Sequence, residues 1–240
     1  MSERMRYITL ATSLPYLGRL FAKADIPISR FRLEQRLGML TPGHRRLLDR
    51  VIQVTAWAGV APLQDDKQII SLARSVIDDL SDHPDLQHLV SGRMETRTLM
   101  AALRRRRDGQ QTPGDVDSWG YGRWNSAIAA NWSDQAFGLG HFMPWIAKAN
   151  QAMLAGDHLS VERTALTEVI RQIDHYGQNH AFDFEAVVIY VLKWTVFARW
   201  AAYSQDKAAQ RLSGLIDAVL ATAPDLPGGP VRVPAEELSS

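Results

Sequence analysis

TPGHRRLLDRVIQVTAWAGVAP, residues 41–62, decides the fold class. Thr41 is a residue type that caps helices, and Pro42 stands at a first helical position, where its missing N–H costs nothing. Leu47, Leu48, Val51, Val54, Thr55 and Ala58 then recur at helical spacing along one face. Gly59 and Pro62 close the run, so the stretch predicts a helix over 42–58. The next stretch repeats the design. Ile69, Leu72, Ala73, Val76, Ile77 and Leu80 form a second apolar face over 65–80, and Asp65 and Asp66 sit where the helix dipole favours negative charge.

Working outward from this pair gives more helices. Upstream, Ser29 reads as a cap before Phe31, Leu33, Leu37 and Leu40. Residues 6–14 (RYITLATSL) fit either a short strand or a helix start, and Pro15 limits both. Downstream, Asp82, His83 and Pro84 open either one helix running to Arg107 or a helix pair broken at Ser91 and Gly92. Residues 108–122 (DGQQTPGDVDSWGYG) hold four glycines and a proline and read as a linker. Helices are expected over 124–132, 144–155, 161–176, 183–203 and 206–222. Residues 224–240, with four prolines and two glycines, read as an extended or disordered tail. The prediction is all-α: a helical bundle of about two lobes, 1–107 and 123–223, joined by 108–122.

Composition narrows the function. The chain has 240 residues, 46% of them hydrophobic, enough for a substantial core. Its 27 Lys+Arg against 26 Asp+Glu give a net charge of +1, which argues against coating nucleic acid by electrostatics. There is no cysteine, so disulfides, Cys-ligated metals and thiol nucleophiles are excluded. The N-terminus carries no signal-peptide pattern, and the expected location is cytoplasmic. Residues 184–203 are apolar enough to invite a membrane reading. Lys193 sits near their centre, where a charge costs about 2.5–3.5 kcal/mol, so a buried core helix is the expectation.

Catalytic motifs fail in turn. No Gly-Lys-[Ser/Thr] phosphate loop exists, and Gly138-Leu139-Gly140 lacks the third glycine of a dinucleotide fingerprint. There is no Gly-x-Ser-x-Gly either. No catalytic residue, metal ligand or cofactor is therefore assigned. The best metal candidates are Asp174, His175, His180, Asp183 and Glu185, but His175 and His180 are five apart rather than the three or four that stack on one face. Polar residues of an inter-helix turn are the plainer reading. A metal-dependent helical enzyme around His175 and His180 is kept as an alternative.

Arg104, Arg105, Arg106 and Arg107 are the strongest charge cluster. Successive helical residues turn by about 100°, so the four spread around the helix. They suit the dipole at a helix end, and exposed there they would also suit an acidic partner. Trp119, Tyr121 and Trp124 follow in the glycine-rich segment, and Trp, Tyr and Arg are common interface anchors. These seven residues form the expected partner-binding surface. A nucleic-acid-binding regulator using the four arginines is the second alternative.

Two segments carry a resemblance. GRMETRTLMAALRRRRDG, residues 92–109, resembles the recurring helix of the C-type stalk protein of V/A-type ATPases (the d-type protein of the eukaryotic enzyme), where an acidic residue leads into Leu-Arg, further basic residues and a closing glycine. Residues 184–203, with Tyr190 and Lys193, resemble the apolar helix of that stalk protein. The opening YITLATSLPYLG with PISRFRLEQRL looks like a bacterial family of uncharacterised proteins encoded beside V/A-type ATPase genes. The resemblance implies a non-catalytic adaptor, built like the stalk protein, that couples the central stalk to the membrane ring and is peripheral to the membrane at most. The stalk protein has three similar lobes, and this chain has room for about two. The implied partners are other protein components of a V/A-type ATPase, with no nucleic acid.

Overall fold

Side-chain caps set the starts of three of the early helices. Ser29 Oγ accepts from Arg32 N–H, Thr41 Oγ1 from His44 N–H, and Asp65 from Lys67 N–H, each satisfying an otherwise unpaired first-turn amide. The computed structural model describes residues 3–22, 26–56 and 65–222, side chains of 205–222 excepted. Over these residues the fold is all-helical, with no strand.

Among the described residues four helices precede the long central one: α1 Glu3–Ser13, α2 Arg30–Leu37, α3 Pro42–Thr55 and α4 Asp66–Asp79. The central helix α5 spans Pro84–Arg107. A 3-10 turn at Val116–Ser118 and the short α6, Asn125–Ala130, follow. Then come α7 Pro144–Leu154, α8 His158–Gly177 and α9 Phe184–Thr222.

Residues 6–14 resolve as helix. Tyr7 and Leu10, three apart, are buried on one face, and the Thr9 and Thr12 hydroxyls donate back to the Met5 and Ile8 carbonyls. Of the two readings of the stretch ending at Arg107, one helix or a pair, the structure shows the unbroken helix. One glycine costs a helix only about 1 kcal/mol, and α5 is held by buried side chains on both sides of it, Leu86 to Val90 and Met94 to Leu103. The two helices expected over 183–203 and 206–222 are one continuous α9, because Ser204 and Gln205 carry no breaker. The 3.6-residue pattern of α3 ends at Thr55, and residues 57–58 lie outside the described residues, as does the expected tail at 224–240.

Helix α5 runs through two apolar clusters. Leu86, Leu89, Val90 and Met94 join α1–α4, α8 and the start of α9, while Leu99, Met100, Ala102 and Leu103 join α7 and the 116–139 region. Residues 108–122 are packed against α5: Val116 and Trp119 are buried, and the Trp119 and Trp132 indoles donate to the carbonyls of Pro113 and Gln110. Glycine permits the approach. A Cβ at Gly122, where φ is +107°, would stand 2.3 Å from Glu95 Cγ, and one at Gly120 would stand 2.9 Å from Thr98 Cγ2.

The Phe184–Ser204 part of α9 is long and apolar enough to cross a membrane, and 44% of an 18-residue stretch of it is buried in the protein. Val187 and Val188 are fully enclosed. The polar handles of this helix tie down the N-terminal segment: Tyr190 O–H donates to Pro15 O at 2.8 Å and Trp194 Nε1–H to Ile28 O at 2.9 Å.

Candidate functional site

Arg93, Arg97 and Arg104 lie four and seven residues apart, which puts them on one face of α5. That face forms the floor of a cavity of about 550 Å³. Ile69 and Ile70 of α4 make one wall, and Val161, Ala165 and Val169 of α8 make another. Arg105 and, from α9, Arg199 bring the guanidinium groups lining it to five, against the three carboxylates of Asp66, Asp108 and Glu162. Arg104 and Asp108 stay exposed at its mouth, while Ile69, Ile70 and Val169 are buried. The volume falls in the range of small-molecule sites.

Each carboxylate already has a cation. Asp66 takes Arg105 at 2.9 Å, Glu162 takes the fork of Arg199 at 2.5 and 3.1 Å, and Asp108 takes Arg107 at 2.8 Å. Arg93 donates to the Thr55 carbonyl at 3.3 Å, a neutral acceptor. The side chains of Arg97 and Arg104 make no hydrogen bond or ion pair with the described residues. The electrostatics follow from this imbalance. Burial pushes Arg93 down to about 9, and the charges of Arg199 and Arg97 add to the depression while Glu162 opposes it. Burial likewise lowers Arg97, with Arg104 adding and Asp66 opposing. Arg104, whose side chain reaches solvent at the mouth, is lowered too by the partial desolvation of its inner part: Arg199 and Arg107 add, and Glu162 and Asp108 oppose. All three remain protonated at neutral pH, so they hold positive charge at a cost.

The aromatic side is built by the glycine-rich segment. Thr98 Oγ1 accepts from Tyr121 N–H at 2.7 Å and donates to Tyr121 O at 3.0 Å. This fixes Tyr121 at the cavity edge. Trp119 lines the cavity under Arg105, whose guanidinium carbon stands 4.6 Å from the ring centroid, a cation–π contact.

Of the seven residues expected at a partner surface, Arg104, Arg105, Trp119 and Tyr121 converge on this cavity. Arg106, expected to be exposed, turns the opposite way and organises the second cluster. It donates to the carbonyls of Trp132 and Gln135 at 2.9 and 3.2 Å and to Asn150 Oδ1 at 2.9 Å, over the fully buried Phe137 ring. The 100° step per residue is the reason: two neighbouring arginines on a helix cannot share a direction. Arg107 is exposed and pairs with Asp108, and Trp124 packs half-buried on the second cluster. Sequence reading missed Arg93, Arg97 and Arg199. The signal was the helical spacing of arginines along α5, masked by the louder run at 104–107.

A second polar constellation joins the starts of α5 and α9. His180 meets Asp183 through Nδ1 at 2.8 Å and Asp85 through Nε2 at 3.0 Å, and His83 Nδ1 meets Glu185 at 2.8 Å. Ligand atoms of His180, Asp183 and Glu185 lie within 4.8 Å of one another. His175 is not part of this group; its ring packs on Tyr176, and Asp174 pairs with Lys193. Both nitrogens of His180 are committed to carboxylates, and Asp183 Oδ1 also accepts from Ala186 N–H as the cap of α9. The arrangement is that of an imidazolium clasp between two helix starts. Burial opposes charge on His180, but its bonds to Asp183 and Asp85 and the charge of Glu185 outweigh it and raise its pKa.

No family model matches this chain, and neither a curated protein nor a solved structure matches it.

Proposed function

We propose that this protein binds a small anionic molecule in the cavity floored by α5. One observation carries the reading: five guanidinium groups line a space of about 550 Å³, and the three carboxylates among them are all spent on ion pairs. Uncompensated like charges in a partly buried site destabilise the empty protein, and a bound anion removes that cost. Arginine forks supply directed, charge-assisted bonds to carboxylate or phosphate oxygens. The apolar walls of α4 and α8 supply contact for the rest of the ligand.

Calorimetric titration of the full chain at low ionic strength tests this. Small anions should bind at a single site with a dissociation constant that rises with salt. Equal affinity for neutral analogues of the same shape would refute the proposal.

The V/A-type ATPase adaptor is a separate proposal, supported by the resemblance of residues 92–109 and 184–203. Those segments are α5 and α9, and their signature residues here serve internal roles: Arg106 in the second cluster, Tyr190 on Pro15, and Lys193 on Asp174. Co-purification with components of that enzyme from solubilised membranes would favour the adaptor.

A further inference from the structure

Resting on the reading of the cavity as an anion site, we infer that its ligand is the phosphate monoester of an apolar or aromatic alcohol, with the phosphate dianion between Arg97 and Arg104. Charge count comes first. Arg105, Arg199 and the cavity's carboxylates cancel pairwise, and Asp108 is held by Arg107 outside the cavity. Arg97 and Arg104 are the two lining cations with neither an ion pair nor a hydrogen bond among the described residues. Arg93 is engaged by the Thr55 carbonyl, so the two uncommitted guanidinium groups, Arg97 and Arg104, match the two charges of a dianion. A carboxylate or a phosphodiester carries only one.

Geometry comes second. Arg104 follows Arg97 by seven positions, about 10.5 Å along the helix and nearly two full turns, so both stems rise from the same face. They are close enough for the charge of Arg104 to act on Arg97. A phosphate monoester offers three terminal oxygens, enough to accept from two guanidinium forks at once. A single carboxylate fills one fork.

Surroundings come third. Between the two arginines the floor of the cavity is Met100 and Ala101, and the facing walls are Ile70, Val161 and Ala165. Inorganic phosphate would leave most of the 550 Å³ as water against apolar side chains. An alkyl or aryl body attached to the phosphate covers them and gains from that burial.

The test is titration of the full chain with phenyl phosphate, inorganic phosphate, benzoate, phenylsuccinate and phenol. At pH 7.5 phenyl phosphate should bind at least about tenfold more tightly than inorganic phosphate or benzoate, the scale of one or two charge-assisted bonds or a buried ring. Between pH 7.5 and 5.5 its affinity should fall about fourfold, as the second phosphate ionisation, near pH 6, is lost. Arg97→Gln and Arg104→Gln should each weaken it about tenfold or more with melting temperature unchanged or raised, which separates lost contacts from lost folding. Tighter binding of phenylsuccinate or benzoate than of phenyl phosphate would overturn the phosphate inference and leave the anion reading intact. Phenyl phosphate affinity indifferent to both substitutions would likewise overturn it. Binding of phenol as strong as that of every anion, or of no compound at all, would overturn the anion reading itself.

Discussion

Arg105 and Arg106 are neighbours in the chain that serve opposite sides of α5: Arg105 pairs with Asp66 at the cavity at 2.9 Å, and Arg106 pairs with Asn150 in the second apolar cluster at 2.9 Å. Their substitutions should part accordingly. Arg106→Ala leaves the carbonyls of Trp132 and Gln135 and the buried Asn150 without their donor, and should cost about 2–4 kcal/mol. Arg105→Ala removes a half-exposed pair and should cost under about 1 kcal/mol. Urea unfolding of the two variants measures the difference, and equal costs would contradict this division.

Removing surplus charge from an empty anion site should stabilise the protein. Arg97→Gln and Arg104→Gln each keep a polar side chain and delete a cation that has no ion pair among the described residues. Each should raise the melting temperature of the ligand-free protein by about 1–4 °C, equivalent to about 0.5–1 kcal/mol. A fall in melting temperature for both would mean that these arginines are structural.

The clasp at His180 predicts a pH dependence of definite sign. Its pKa is raised in the folded protein, so its contribution is fully present below the unfolded value, near 6.5, and is lost as pH rises through the folded value. His180→Gln should therefore lose about 1–3 kcal/mol relative to the parent at pH 6, and the gap should narrow by pH 9. Denaturant titrations of both proteins at the two pH values decide it. A gap that widens with pH would show that the neutral imidazole is the stabilising form.

Because α5 passes through both apolar clusters without a break, they should unfold together. Leu89→Ala and Leu103→Ala empty fully buried sites, one in each cluster, and should each cost about 2–5 kcal/mol. Calorimetry should show a single transition shifted down in both variants. Two separated transitions would mean that the clusters are independent lobes.

Most of the helices were legible in the sequence, and the reasons are local. Thr41-Pro42, Asp65-Asp66 and Pro144 mark starts through capping and proline geometry, and the apolar spacing of α3 and α4 points to one buried face in any context. Residues 6–14 were not legible, because Thr9 and Thr12 suit a strand as readily as a helix until Tyr7 and Leu10 find a core. Ser91-Gly92 leaves one helix or two open because local propensity says nothing of the packing that holds α5 on both sides.

The sequence by itself determined an all-helical chain, rich in arginine at 104–107, with no cysteine chemistry and no phosphate loop of known pattern. Only the tertiary structure decided which arginines act together. Arg97 and Arg104 gain their meaning from walls supplied by α4 and α8, and Arg199 arrives from a helix that begins 77 residues after α5 ends, counted from Arg107 to Phe184. The sign of each arginine's surroundings is set by carboxylates remote in the chain, Asp66 and Glu162. Periodicity places a residue on a face of its own helix; what that face meets is a property of the packed fold.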